Sequence, residues 1–289
     1  MKIEKPQPRA PIVTIFGDAS TGKNSLATAM AKNPLVLRCE DGVHRQTKKL
    51  DMPDALPPCR NVDDVFAQLL WLLQEDHGYD SLIFDSASAA DAMFTADVVE
   101  KGGKNGKPAA SLATAYGGYG AGYGAVAAMH GRVRKAAGLL NDRKGMMVIF
   151  IVHADLETMK LPDVDDYQRY SLKLTSAKNA NSIAHYVDNV DLVAHVRLTS
   201  ALRGGDEERK KVISNGDREI VVHATSASVT KNGLGITEPL DFEEGTNPLA
   251  EYMATPAKKR APKKKAEPQD DAGDADASDV DPADFVGEE

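Results

Sequence analysis

Short apolar runs alternate with helix-like stretches through most of the chain. Each apolar run is typical of a buried strand, and each stretch between them carries apolar residues at helical spacing. The predicted strands are 11–16, 35–38, 81–84, 147–152, 192–196 and 220–224; the predicted helices are 23–32, 62–73 with Asn61 as its cap, a segment from about 87, and roughly 120–140. Strands separated by helices predict an α/β fold, with a mainly parallel sheet flanked by helices.

Composition divides the chain near residue 255. Residues 1–255 have the pattern of a globular domain, whereas residues 256–289 contain six Lys or Arg followed by ten Asp or Glu and almost no apolar residues. Such a segment buries too little surface to offset its ordering entropy, so we predict a disordered basic-then-acidic tail. The chain has 35 basic and 43 acidic residues, a net charge of -8. A generally basic, nucleic-acid-coating surface is thereby excluded, and any nucleic-acid contact must be local.

Several features favour a cytoplasmic setting without a membrane partner. The longest apolar runs, such as 146–152, are too short to cross a bilayer. The first residues, MKIEKPQPRAP, lack the apolar middle of a secretory signal. Cys39 and Cys59 are the two cysteines of the chain, and they suggest neither a disulfide framework nor a metal site.

The most specific motif follows the first predicted strand. Residues 17–25 read GDASTGKNS, which contains the G-x-x-x-x-G-K core of a phosphate-binding loop, with a strand before it and a helix after it. Backbone amides of such a loop close around phosphate oxygens, and Lys23 would reach the β- and γ-phosphates. The candidate nucleotide-binding residues are Gly17, Asp18, Ala19, Ser20, Thr21, Gly22, Lys23, Asn24 and Ser25.

Asn24 and Asp85 are the candidate Mg²⁺ ligands. Asp85 ends a predicted apolar strand, where P-loop proteins place the carboxylate that holds the ion. Asn24 stands where the pattern has Ser or Thr, and its amide oxygen is an acceptable but longer ligand. Ser25 lies about 100° further around the helix and is a poor geometric substitute. The motif therefore supports nucleotide binding better than rapid hydrolysis.

Two other strand ends carry candidate catalytic groups. Glu40 follows the second predicted strand and could orient and deprotonate an attacking water, or it could be a solvated turn carboxylate. His153 follows the fourth predicted strand and could face the γ-phosphate, although a lone histidine is often structural.

The order of these motifs resembles the RecA-type ATPase core, and more closely the phage-encoded RecA-like proteins that include single-strand annealing recombinases. The similar segments are 17–27, 33–42, 79–88, 117–126, 148–155 and 185–196. The resemblance implies a RecA-like P-loop domain over residues 1–255 that binds ATP and Mg²⁺, with Glu40 as catalytic glutamate, Asp85 as Walker B aspartate and His153 as γ-phosphate sensor. Asn24 departs from the family's Ser or Thr.

The same resemblance implies a DNA-binding loop and a residue acting between subunits. The loop would be 101–124, whose candidate contacts are Lys101, Lys104, Lys107, Tyr116, Tyr119 and Tyr123. Lysines neutralise phosphates and tyrosines stack on unpaired bases, although tyrosines of a flexible loop can equally pack on the body. Lys231 would reach the γ-phosphate of a neighbouring subunit, or it is an exposed lysine in a turn. A second loop, 156–172, is poor in basic residues, and its first half is better interpreted as a β-hairpin.

The resemblance implies a function and a set of partners. We expect a slow, Mg²⁺-dependent ATPase that acts on single-stranded DNA in recombination or strand annealing, as a homo-oligomer or filament in the bacterial host cytoplasm. A single-strand-binding protein or another recombination protein is an expected partner. A different class of function is a non-catalytic, nucleotide-gated scaffold in a phage replication or packaging complex. A small-molecule kinase is a third class, for which the sequence shows no lid or acceptor-site motif.

Overall fold

The computed structural model describes residues 8–40, 51–105, 107–199, 201–203, 211–213 and 216–253. The strands are Ile12–Gly17 (β1), Pro34–Arg38 (β2), Asp54–Ala55 (β3), Ser81–Asp85 (β4), Met147–Met159 (β5), Tyr167–Leu172 (β6), Ser176–Ala177 (β7), Ala180–Asn181 (β8), Leu192–Leu198 (β9), Ala201–Arg203 (β10), Lys211–Ile213 (β11), Arg218–Val221 (β12), Lys231–Asn232 (β13) and Leu240–Phe242 (β14). The helices are Lys23–Met30 (α1), Val62–Gln74 (α2), Ala87–Lys101 (α3), Ala121–Lys144 (α4), Ala184–Val187 (α5) and Ala250–Met253 (α6), with a 3-10 helix at Leu112–Gly117.

The main sheet is mixed, with a parallel centre and antiparallel additions. Its strand order is β14-β12-β9-β1-β5-β4-β2-β3. The six neighbouring strands β9, β1, β5, β4, β2 and β3 form the parallel part of the sheet. Strands β12 and β13 pair with β9, β14 pairs with β12, and β6 pairs with β5, all antiparallel. The predicted α/β fold with a mainly parallel sheet and flanking helices is confirmed.

Helices cover both faces of the sheet, and each face has its own apolar core. One core joins the sheet to α2, α3 and α4 through side chains such as Phe66, Phe94 and Val133. The other joins the opposite face to α1 through Leu26 and Ala27. Alternating strand side chains supply both cores, as period-two geometry requires. Both faces of the central strands are thus buried, and the strand ends remain as the places where polar groups collect.

Helix α2 begins where its sequence predicts. Asn61 precedes it, and its side-chain oxygen accepts a hydrogen bond from the backbone N–H of Asp64 at 2.9 Å. This contact satisfies one of the amides that a helix N-terminus leaves without a partner. The predicted Asn61 cap is therefore confirmed.

Several element boundaries, and the position of Lys231, differ from the sequence prediction. Strand β5 continues past the apolar run 147–152 to Met159, because its polar half pairs with β6 and needs no buried face. Strand β12 begins at Arg218 rather than Ile220, since its partners β9 and β14 extend that far. Lys231 lies in β13 rather than in a turn. The hairpin predicted within 156–172 is present as β5 and β6.

Two sequence-based predictions concern the C-terminal tail and the membrane. The predicted disordered tail, 256–289, lies outside the described residues. Among the residues that the structure describes, no helix is both long enough and apolar enough to span a bilayer. Cys39 and Cys59 are buried and free.

Candidate functional site

The loop between β1 and α1 has the backbone geometry of an anion-binding turn. An ideal Cβ at Gly17 would lie 2.1 Å from the carbonyl oxygen of Val196, so only glycine fits there. Gly22, at the helix cap, has a φ of 97°, a left-handed conformation that favours glycine. Helix α1 thus begins directly at Lys23. The free backbone amides and the dipole at its N-terminus attract phosphate.

Lys23 is folded back into the loop. Its ammonium donates to the carbonyl oxygen of Asp18 at 2.7 Å, and the Thr21 hydroxyl donates to the same oxygen at 2.9 Å. Burial lowers the pKa of Lys23, while the charges of Glu40, Asp85 and Asp18 raise it. A polyphosphate would supply this buried cation with a stronger partner than a backbone carbonyl.

Asn24 and Asp85, the two predicted Mg²⁺ ligands, are brought into direct contact. The Asn24 amide nitrogen donates to Asp85 Oδ2 at 2.8 Å. Asp85 is fully buried, and its Oδ1 has no hydrogen-bond partner among the described residues. Burial, followed by the nearby charge of Glu40, raises the pKa of Asp85 to about 7. A buried carboxylate oxygen without a partner beside a carboxamide fits a Mg²⁺ ion held through water, and the assignment of these two residues as ligands stays a prediction.

Glu40 and His153 also lie together at the ends of their strands. His153 Nε2 is 3.1 Å from Glu40 Oε2, and each side chain is about one third exposed. The hydrogen bond from His153 lowers the pKa of Glu40, and the Lys23 charge acts in the same direction. Parallel pairing explains the placement, because β5 sets His153 in register with Gly17. Glu40 is further held by its backbone N–H, which donates to the carbonyl oxygen of Asp85 at 3.2 Å.

Lys23, Asn24, Glu40 and His153 line one cavity of about 460 Å³, and the buried Asp85 is joined to it by its hydrogen bond to Asn24. The cavity's lining residues are Ala19, Ser20, Gly22, Lys23, Asn24, Ser25, Glu40, His153, Arg218 and Glu244. Arg218 and Glu244 were not among the candidate site residues predicted from the sequence. Arg218 Nη1 lies 3.8 Å from Glu244 Oε2, and the Ser25 hydroxyl donates to Glu244 Oε1 at 3.2 Å. No motif marks either residue, since both reach the cavity through antiparallel pairing at the sheet edge.

Lys231 is held within its own subunit. Its ammonium donates to the carbonyl oxygens of Val187 at 3.3 Å and Asp188 at 2.7 Å, at the end of α5. It is not among the residues that line the cavity. Its predicted action on a neighbouring subunit stays a prediction.

The predicted DNA-binding segment, 101–124, connects α3 to α4 and is described apart from residue 106. Backbone hydrogen bonds fix it, including Ala109 N–H to Val99 O and Tyr116 N–H to Gly102 O, both 2.7 Å. Lys101, Lys104 and Lys107 are all exposed, and Lys101, which ends α3, is paired with Asp97 at 2.9 Å.

The tyrosines of this segment differ in exposure. Tyr119 is fully exposed and Tyr116 half exposed, and both have positive φ values, 54° and 53°. Tyr123 lies in the first turn of α4 and is partly buried. Helix α3 begins two residues after Asp85 and ends at Lys101, where this segment begins. The predicted alternative, in which these tyrosines pack on the body, does not describe Tyr119.

The sheet order, the loop from β1 to α1 and the acidic residue ending β4 define an α/β domain of the P-loop NTPase class. Residues 9–233 match the family model AAA_24, described as an AAA domain. The match covers most of the chain, so the protein belongs to this family. Its function class is therefore that of a P-loop, ATPase-type nucleotide-binding domain. A comparison with curated proteins finds no match.

Proposed function

We propose that this protein binds ATP with Mg²⁺, hydrolyses it slowly, and acts on single-stranded DNA in recombination or strand annealing. ATP binding is supported by one observation: Lys23, Asn24, Glu40 and His153 line one cavity, and Asp85 is hydrogen-bonded to Asn24 at 2.8 Å. Loop amides, a buried cation and two carboxylates in distinct environments are the parts that phosphoryl transfer to water requires.

The two carboxylates have different roles in this proposal. Glu40 keeps a low pKa through His153, so it is ionised at neutral pH and can accept a proton from an attacking water. Asp85 is buried and would hold the Mg²⁺ ion together with Asn24. When bound, the ion would neutralise charge on the β- and γ-phosphates. His153 would then sense the γ-phosphate, and its contact with Glu40 would transmit that signal.

Slow turnover follows from Asn24. Its amide nitrogen is already bound to Asp85, and an amide oxygen replaces the compact hydroxyl that octahedral Mg²⁺ accommodates best. The same observation favours the second candidate function, a nucleotide-gated scaffold that does not turn ATP over. Measured turnover distinguishes the two.

The DNA half of the proposal rests on the exposed tip of the segment 101–124. Tyr119 presents its whole ring to solvent, and Lys104 and Lys107 are exposed within the same segment. An exposed aromatic ring and exposed cations in one segment suit stacking on unpaired bases and neutralisation of the phosphate backbone. We propose single-stranded DNA as the partner, bound by a homo-oligomer in the cytoplasm, with other recombination proteins as further partners. In such an oligomer, Lys231 would act on the neighbouring γ-phosphate.

Direct binding measurements test both halves. Lys23→Ala should abolish ATP binding in calorimetry without unfolding the chain, because Lys23 contributes charge to the ligand rather than packing to the core. Unchanged ATP affinity in this variant would overturn the nucleotide assignment. In fluorescence anisotropy, Tyr119→Ala should weaken binding of a single-stranded oligonucleotide by about 1–3 kcal/mol. Tyr252→Ala, another exposed tyrosine outside the segment, is the matched control and should leave affinity unchanged.

A further inference from the structure

Topology brings Arg218 to the phosphate-binding loop from far along the chain. Arg218 is the first residue of β12, which runs antiparallel to β9. The amino end of an antiparallel strand lies at the same edge of a sheet as the carboxyl ends of its parallel neighbours. Arg218 therefore starts its strand at the edge where β1 ends in Gly17.

The side chain of Arg218 lies next to Gly22, the residue that precedes Lys23. A Cβ built on Gly22 would lie 3.7 Å from Arg218 Cδ and 2.8 Å from Cε1 of Phe242. Phe242 is the register partner of Arg218 in β14. The antiparallel pair of β12 and β14 thus packs against the loop at the N-terminus of α1, where an anion would bind.

The Arg218 guanidinium has N–H donors that are available to a ligand. Its one ion-pair contact among the described residues, Nη1 to Glu244 Oε2 at 3.8 Å, is longer than a hydrogen bond. Its Nε is buried and has no hydrogen-bond partner among those residues. A buried N–H without a partner is costly, and it points to a ligand that would accept from it.

Glu244 places a carboxylate where an incoming polyphosphate would meet it. It accepts from the Ser25 hydroxyl at 3.2 Å, in the first turn of α1, and it lines the same cavity as Lys23 and Arg218. Phosphate and Glu244 carry the same sign of charge, so they compete for Arg218. A planar guanidinium is suited to this exchange, since it forms paired hydrogen bonds with either carboxylate or phosphate.

We propose that Arg218 is a nucleotide-contacting residue supplied within the same subunit, and that it exchanges Glu244 for the polyphosphate when nucleotide binds. The inference rests on the proposed function, since it requires a nucleoside triphosphate in this cavity. It adds a second cation to Lys23 and assigns Glu244 as a competing anion.

ATP affinity of single variants gives the first test. Arg218→Ala and Arg218→Gln, the second keeping much of the aliphatic stem, should each raise the Kd for Mg·ATP by about tenfold to a hundredfold in calorimetry, as expected for loss of a charged hydrogen bond. Arg197→Ala is the matched control: Arg197 pairs with Glu219 at 2.7 Å on the same two strands, and its variant should bind ATP as the wild type does. Thermal unfolding checks that each variant is folded.

A double variant separates phosphate contact from simple neutralisation of Glu244. Glu244→Gln alone should tighten ATP binding, because a like charge leaves the cavity. If Arg218 contacts phosphate, Arg218→Gln with Glu244→Gln should stay at least about tenfold weaker than Glu244→Gln alone. Equal affinities of these two variants would overturn the inference, as would wild-type affinity in Arg218→Gln.

Two results distinguish failure of the Arg218 assignment from failure of the proposed ATP-binding function. Loss of ATP binding in Lys23→Ala together with unchanged binding in Arg218→Gln would overturn this inference and keep the proposed function. Absence of ATP binding by the wild-type chain would overturn both.

Discussion

Replacing Asn24 tests how the metal-binding pair is built. Asn24 donates the hydrogen bond that Asp85 Oδ2 accepts at 2.8 Å, and Asp85 Oδ1 has no partner among the described residues. Asn24→Ala would leave this buried carboxyl without that donor. Loss of a hydrogen bond to a charged group costs about 1.5–3 kcal/mol. Burial raises the pKa of Asp85 to about 7, so its carboxyl group is ionised above that pH. The full free-energy cost of losing the hydrogen bond is therefore expected above pH 7.

Urea unfolding near pH 8, without nucleotide, measures this cost. We expect Asn24→Ala to lower the free energy of unfolding by about 2 kcal/mol. In an Asp85→Asn background the same substitution should cost much less, because the two residues act as a pair. An equal cost in both backgrounds would refute the reasoning.

Asn24→Thr tests the same pair in the presence of metal. The hydroxyl restores the usual ligand, so phosphate release from ATP should be faster than in the wild type, or half-maximal at lower Mg²⁺. An Asn24→Thr variant that is slower than the wild type, or indifferent to Mg²⁺, would show that the asparagine has another role.

Three further predictions concern a buried histidine, the exposed lysines and the tail. Burial, then the charge of Arg197, lowers the pKa of His195 from 6.5 to about 4, so the unfolded chain binds the proton first as pH falls. Stability should therefore drop by about 2 kcal/mol more between about pH 7.5 and 5 in the wild type than in His195→Asn, measured by urea unfolding at both pH values. Replacing Lys104 and Lys107 by alanine should reduce the slope of log affinity for single-stranded DNA against log salt by up to about 1.4; an unchanged slope would place the phosphate contacts elsewhere. Deleting 267–289 removes ten acidic residues and should tighten DNA binding at low salt if the tail competes with phosphate, whereas equal affinities would leave it a solubilising appendage.

Local signals were enough to predict the centre of the fold and of the site. Apolar runs marked the central strands, Asn61 marked the start of α2, and the spacing from Gly17 to Lys23 marked the loop. These features depend on nearby residues and on steric rules that hold in any context. The position of Asp85 was predictable for the same reason, since it directly follows a buried apolar run.

The other features of the fold and the site were not predictable from the sequence, because they depend on pairing between strands that are far apart in the chain. Arg218 and Glu244 reach the cavity because β12 and β14 add antiparallel strands at the sheet edge, and no local pattern specifies that register. The contact between Glu40 and His153 likewise depends on strands far apart in sequence. The continuation of β5 from the apolar run 147–152 to Met159 was not predicted, because the strand prediction followed apolar residues, whereas pairing with β6 extends the strand.

ATP turnover with and without single-stranded DNA tests the central claim most directly. The measurement is phosphate release by the full chain with Mg²⁺ present, with Lys23→Ala as the blank. We predict slow release that single-stranded DNA accelerates and that is lost in the blank, since α3 runs from just after Asp85 to Lys101, where the proposed DNA-binding segment begins. Release at the level of the blank, with or without DNA, would contradict an ATPase acting on DNA and leave the nucleotide-gated scaffold.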